Sequence, residues 1–151
     1  MSTGFVLGKF APFHKGHQLL IETSIQENDR TIVLIYDEPS LINTPLYVRA
    51  NRIRSIYPNV EVVAGYNSPN DTGYTEDIMR KQEQYIYSLQ LGKIDNFYSS
   101  EPYGEHLSKF LECNDRRVDM SRLNIPVSAT MIRNNLYQYR EFLHPIVYNS
   151  L

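Results

Sequence analysis

Two stretches decide most of what this chain can fold into. Residues 4–8 (GFVLG) and 31–36 (TIVLIY) are apolar without interruption. A strand with one wet face alternates apolar and polar residues, whereas an unbroken run suits a strand covered on both faces. Residues 60–64 (VEVVA) and 96–99 (NFYS) are shorter candidates of the same kind, and 117–120 (RVDM) is a weaker fifth. Helical patterns fill the intervals. Residues 17–25 put Leu20, Ile21 and Ile25 on one face, and 48–56 repeat apolar side chains at Val48, Ile53 and Ile56 before Pro58 closes the run. Residues 75–91 carry the longest stripe, through Ile78, Met79, Tyr85, Ile86 and Leu89, and 103–111 and 129–137 follow. Regular alternation of strand and helix predicts a single α/β domain over residues 1–151. Its expected core is a parallel sheet of about five strands with helices on both faces.

Ligands of such sheets collect at the carboxyl ends of the strands, near the point where strand order reverses. The segment GKFAPFHKGH, residues 8–17, falls at that edge, between the first strand and the first helix. His14 and His17 could share a metal ion, but the remaining soft ligands, His106, His144 and Cys113, have no supporting spacing, so no protein-held metal is expected. The Walker pattern GxxxxGKS/T fails, because Thr3 stands where its first glycine would be and Phe10 follows Lys9, and there is no GxGxxG. A phosphate site built from imidazole donors fits better. Gly16 lets backbone approach an anion at a helix start, His14 and His17 add directional N–H groups, and Lys9 adds charge.

Near the other end stands IPVSATMIR, residues 125–133. Pro126 stops what precedes it, Ser128 is a good N-cap, Thr130 offers a hydroxyl in the first turn, and Arg133 leans back toward the helix start. The stretch predicts a second anion pocket of amides, a hydroxyl and a guanidinium.

Composition narrows the classes. With 15 Lys plus Arg against 17 Asp plus Glu, the chain lacks the basic excess of a general nucleic-acid binder. No segment is apolar for the roughly 18 residues of a membrane helix, and the start MSTGFVLGKF has no secretory pattern. One cysteine, Cys113, rules out an intrachain disulfide, and a cytoplasmic location is expected.

A strand, then HxGH at a helix start, then S-x-T-x-I-R about 110 residues later resembles the HxGH superfamily of nucleotidyltransferases. Within it, GKFAPFHKGH, PLYVRANRIRSIYPNVEVV (45–63), SEPYGEHL (100–107) and LYQYREFLHP (136–145) resemble the nicotinamide mononucleotide (NMN) adenylyltransferase domain of NadR-type proteins. The likeness covers nearly the whole chain and implies a Rossmann-like nucleotidyltransferase fold. It implies transfer of AMP from ATP to NMN, giving NAD and pyrophosphate. By the resemblance, Lys9, His14, His17 and Arg133 are catalytic. Gly8, Phe10, Gly16, Ser100, Glu101, Ser128 and Thr130 bind ATP, and Asp37, Arg49, Arg52 and Tyr74 are the candidates for the acceptor nucleotide. Mg2+ would bridge the phosphates while keeping most of its waters, so few protein ligands are expected. A homo-oligomer is compatible with the family.

The chain also departs from that pattern. NadR-type domains tend to carry tryptophan in the region of residues 74–86, to stack on nicotinamide, and this chain has none. Tyr74 or Tyr85 is the substitute. NadR-type proteins continue into a P-loop kinase, so the chain is either a stand-alone transferase or part of a longer protein. The rival readings are a cytidylyltransferase acting on a phosphorylated alcohol, whose wording at the second motif is usually RTEGIST-like, and a nucleotide sensor without turnover. A phosphopantetheine adenylyltransferase is similar in size but unlike the middle of this chain.

Overall fold

The computed structural model describes residues 1–37, 44–69, 75–99, 104–118 and 125–149. Five strands, β1 (Thr3–Gly8), β2 (Arg30–Tyr36), β3 (Glu61–Gly65), β4 (Asn96–Ser99) and β5 (Asn114–Arg117), form one sheet in the order β3-β2-β1-β4-β5. Every pairing is parallel. Among the described residues, six α-helices lie between or after them: α1 (Lys15–Glu27), α2 (Leu46–Ile56), α3 (Glu76–Ser88), α4 (Gly104–Leu111), α5 (Ala129–Asn134) and α6 (Pro145–Tyr148). The expected α/β architecture is the observed one.

The unbroken apolar runs have the cause inferred for them. Alternate side chains of each inner strand enter different cores, because successive Cβ atoms point to opposite faces. Val6, Val33, Ile35 and Tyr98 pack with Leu20 and Ile21 of α1, Ala50 and Ile53 of α2, and Ile132 of α5. Phe5, Leu7, Ile32, Leu34 and Phe97 pack on the other side with Ile86 of α3 and Leu107 of α4. Both faces are dry, so neither set can be polar.

Several elements differ from expectation: α3 ends at Ser88 rather than at residue 91, and α6 follows the last predicted helix. The fifth strand is Asn114–Arg117, not 117–120, of which Met120 and Asp119 lie outside the described residues. Its sequence, NDRR, carries no apolar signal because it is an edge strand with exposed or half-buried side chains. The partner ladder specifies it instead, with Asn96 opposite Asn114 and Ser99 opposite Arg117. The last predicted helix ends at Asn134 rather than Tyr137. Asn135 leaves the helical conformation, and its side-chain oxygen accepts from the Gln138 amide (3.1 Å), the local competition that makes Asn a helix terminator.

Strand order runs outward from β1 through β2 to β3, then the chain crosses back to place β4 on the other side of β1. The reversal lies between β1 and β4, so the loop leaving β1 sits at the crevice. Among the described residues no helix is long and apolar enough to cross a membrane.

Candidate active site

The chain leaves β1 through a tight turn that explains GKF. Phe10 has a left-handed backbone (φ 50°), and its ring is buried. A Cβ on Gly8 would stand 2.9–3.3 Å from that ring, so position 8 has room only for glycine. The Ala11–Pro12 peptide that follows is cis. His14 is the N-cap of α1.

The two histidines form one unit. His14 Nδ1 accepts the Gly16 amide (3.0 Å), and His17 Nδ1 accepts the His14 amide (3.2 Å), a reciprocal capping box built from imidazoles. Because each Nδ1 accepts, the neutral rings carry their proton on Nε2, and both present an N–H donor. The rings stack with centroids 3.7 Å apart. Phe13 lies parallel to His17 on a 5.9 Å spacing, and Phe10 meets the His17 ring edge-on at 4.7 Å. His14 itself is 2% exposed.

Gly16 also has a packing role. A Cβ there would lie 2.7 Å from His14 Cε1 and 2.9 Å from Nδ1. The glycine therefore makes room for the capping imidazole. The Gly16 amide, in the first turn of α1, is taken by His14 Nδ1.

The second motif reaches this loop directly. Arg133 Nη1 donates to the Ala11 carbonyl (2.7 Å), and Nη2 donates to Thr130 Oγ1 (3.2 Å). Ile125 Cγ2 is 3.7 Å from where a Gly16 Cβ would be. Ser128 caps α5, its hydroxyl accepting the Met131 amide (3.3 Å), while buried Val127 and Ile132 join the core that holds Phe10 and Phe13. Two motifs about 110 residues apart in sequence are thus adjacent in space.

The acceptor candidates divide. Asp37 follows β2; its amide donates to Ser68 Oγ (2.8 Å), and its carboxylate is 3.7 Å from Arg49 Nη2. Arg49 is buried and directs its donors at backbone carbonyls of Lys9, Tyr36 and Thr44. Arg52 is buried one turn further on; burial first, and the neighbouring Arg49 charge second, push its guanidinium below the ordinary range. Tyr85 donates its hydroxyl to the Tyr66 carbonyl (2.8 Å) and meets Tyr36 edge-on. Burial and, second, the Asp37 charge raise the Tyr85 hydroxyl pKa. Lys9 lies half-buried on the turn. Ser100, Glu101 and Tyr74 lie outside the described residues.

Sequence reasoning missed Phe13 and the Ala11 carbonyl. Phe13 had a readable signal, since it stands just before the N-cap His14, where an apolar side chain folds back onto the first turn of the helix. The Ala11 carbonyl had none, because main-chain acceptors are identical in every residue.

No curated protein matches this chain. Solved structures do. A NadR protein in complex with NAD and AMP-PNP is 24% identical over 96% of this chain and 45% of its own, with a TM-score of 0.70. A NadR protein in complex with NR is 25% identical over 96% and 43%, with a TM-score of 0.65. A bifunctional NMN adenylyltransferase/ADP ribose pyrophosphatase from Francisella tularensis, complexed with AMP and a manganese ion, is 18% identical over 91% and 42%, with a TM-score of 0.64. The chain spans less than half the length of each. The cytidylyltransferase-like family matches residues 5–135, from the first strand through the second motif. This chain belongs to that cytidylyltransferase-like family of nucleotidyltransferases, and its fold is similar to that of the NadR proteins.

Proposed function

We propose that this chain is a nicotinamide-nucleotide adenylyltransferase, transferring AMP from ATP to NMN to give NAD and pyrophosphate. The observation that carries the reading is the meeting of HKGH and SATMIR beside the β1–β4 switch point, where Arg133 donates to Ala11 and Ile125 lies against Gly16. The choice of nucleotides rests on the NadR and NMN adenylyltransferase likenesses.

The chemistry suits such a site. A phosphate oxygen of the acceptor attacks the α-phosphorus of ATP; one P–O bond forms and the bond to pyrophosphate breaks. The attacking oxygen is already ionised near neutral pH, so the protein contributes position and charge rather than a base. The Nε2 protons of His14 and His17 would donate to oxygens on which charge builds. Lys9, Thr130 and Arg133 would hold the remaining phosphates, with Ser128 fixing the helix that carries two of them. Gly8, Phe10 and Gly16 shape the turn, and Ser100 and Glu101 complete the ATP site in this reading. Asp37, Arg52 and Tyr74 would face the acceptor, with Tyr74 stacking on nicotinamide. Mg2+ fits this donor set as a passenger on ATP. Both Nδ1 atoms already accept backbone amides, and among the described residues no group of three or more His, Cys, Asp or Glu could hold an ion. When bound, the ion would neutralise phosphate charge. A reducing cytoplasmic setting, with its single cysteine, is part of the same reading.

The test is pyrophosphate release with ATP and Mg2+, against NMN and nicotinate mononucleotide, and with CTP against glycerol 3-phosphate. Release with NMN, with NAD appearing, is the expected result. Release only with CTP would make the protein a cytidylyltransferase, and nucleotide binding without release would make it a sensor. His17→Ala should lower kcat about 100- to 1,000-fold in a folded protein, the usual loss for one donor at developing charge. Unchanged turnover would remove the phosphate role from the histidines.

A further inference from the structure

We infer that Arg49 is a positioning residue that spaces the β1 turn from the end of β2 and so places Lys9; the inference rests on the adenylyltransferase reading. The sequence suggested a phosphate ligand. The geometry points inward instead. The Arg49 side chain is 1% exposed. Its Nη1 donates to the carbonyls of Lys9 (2.5 Å) and Tyr36 (3.1 Å), its Nε donates to the carbonyl of Thr44 (3.2 Å), and Nη2 stands 3.7 Å from the Asp37 carboxylate.

Those four partners come from three segments. The β1–β2 ladder ends with Gly8 opposite Ile35, and the next residues on each side are Lys9 and Tyr36. Past the last paired residues, Nη1 bonds both carbonyls and holds them on one nitrogen. Thr44, just before α2, ties the pair to the helix that carries Arg49. A planar guanidinium can serve three carbonyls and a carboxylate at once, whereas an ammonium is a point donor on a flexible stem. The Lys9 carbonyl sets where the Lys9 side chain begins. Misplacing a charged group by an ångström at a phosphoryl-transfer centre is enough to lose much of its effect.

Arg49→Lys, Lys9→Ala and the double variant decide the matter, with thermal unfolding used to establish that each folds. Arg49→Lys should lower kcat about 10- to 100-fold and leave the acceptor KM within about twofold. In the Lys9→Ala background the same change should add less than about twofold, because residues acting through one another are non-additive. A large rise in acceptor KM at constant kcat, or losses that multiply, would overturn the inference and make Arg49 a ligand. Amide hydrogen exchange separates this result from failure of the adenylyltransferase reading, since it needs no turnover. Exchange over residues 9–14 should quicken in Arg49→Lys, and unchanged exchange would overturn the strut even in a protein that makes NAD. Wild-type protein that is silent with ATP and NMN would instead refute the adenylyltransferase reading, leaving exchange to judge the strut.

Discussion

A single missing methyl group shapes the site. In an ordinary helix, replacing glycine with alanine stabilises by about 0.8–1 kcal/mol. At Gly16 the sign should reverse, because the new Cβ would meet the His14 ring at 2.7 Å, and that ring is the helix cap. Displacing a cap is worth about 0.5–2 kcal/mol. Gly16→Ala should therefore lower the melting temperature and reduce pyrophosphate release together. A variant as stable as wild type and fully active would show that the cap does not orient His14. The HKGH spelling announces two donors, and the glycine between them leaves room for the His14 ring to cap the helix through Nδ1. Only the contact distances reveal that last point.

Among the elements of the site, α5 depends on its surroundings. Six residues are too few for a helix to persist in water, where the nucleation penalty is not recovered. It is held by Ser128 at its cap, by the Arg133 link to Ala11, and by Ile132, which is fully buried in the α1–α2 core. Ile132→Ala should destabilise the protein by about 2–5 kcal/mol in chemical denaturation. It should also weaken ATP binding, because the Thr130 and Arg133 side chains ride on the same turn. A loss of stability with unchanged ATP affinity would uncouple α5 from the phosphate site. The motif was legible from spelling and capping; its length was not, because Asn135 ends the helix by a local bond that the apolar pattern through Tyr137 conceals.

At the scale of the whole molecule, one edge of the sheet is held by charge. Glu27, at the end of α1, accepts a bidentate pair of bonds from Arg116 of β5 (3.0 and 2.6 Å) and a third from the Tyr98 hydroxyl of β4 (2.8 Å). The Arg116 bonds first, and Tyr98 second, hold its carboxyl below the ordinary 4.5. A depressed carboxylate contributes stability that is present above its unfolded value and lost as pH falls through the folded one. Glu27→Gln should therefore melt at a lower temperature than wild type at neutral pH, and the gap should close as pH drops below 4.5. A gap independent of pH would mean that the ion pair is not what pins β5. That strand shows where the sequence stops being informative. β1 and β2 are written in unbroken apolar runs because both faces of the sheet are dry, and the parallel α/β fold follows from them. The two phosphate motifs are also readable, since capping residues, histidines and a late arginine are local spellings. The polar edge strand, the inward turn of Arg49, the room that Gly16 leaves for His14 and the bond from Arg133 to Ala11 each depend on a partner distant in the chain. Local pattern carries no record of such partners; they come into being only when the sheet closes and brings residues 9–17, 49 and 125–133 to one edge.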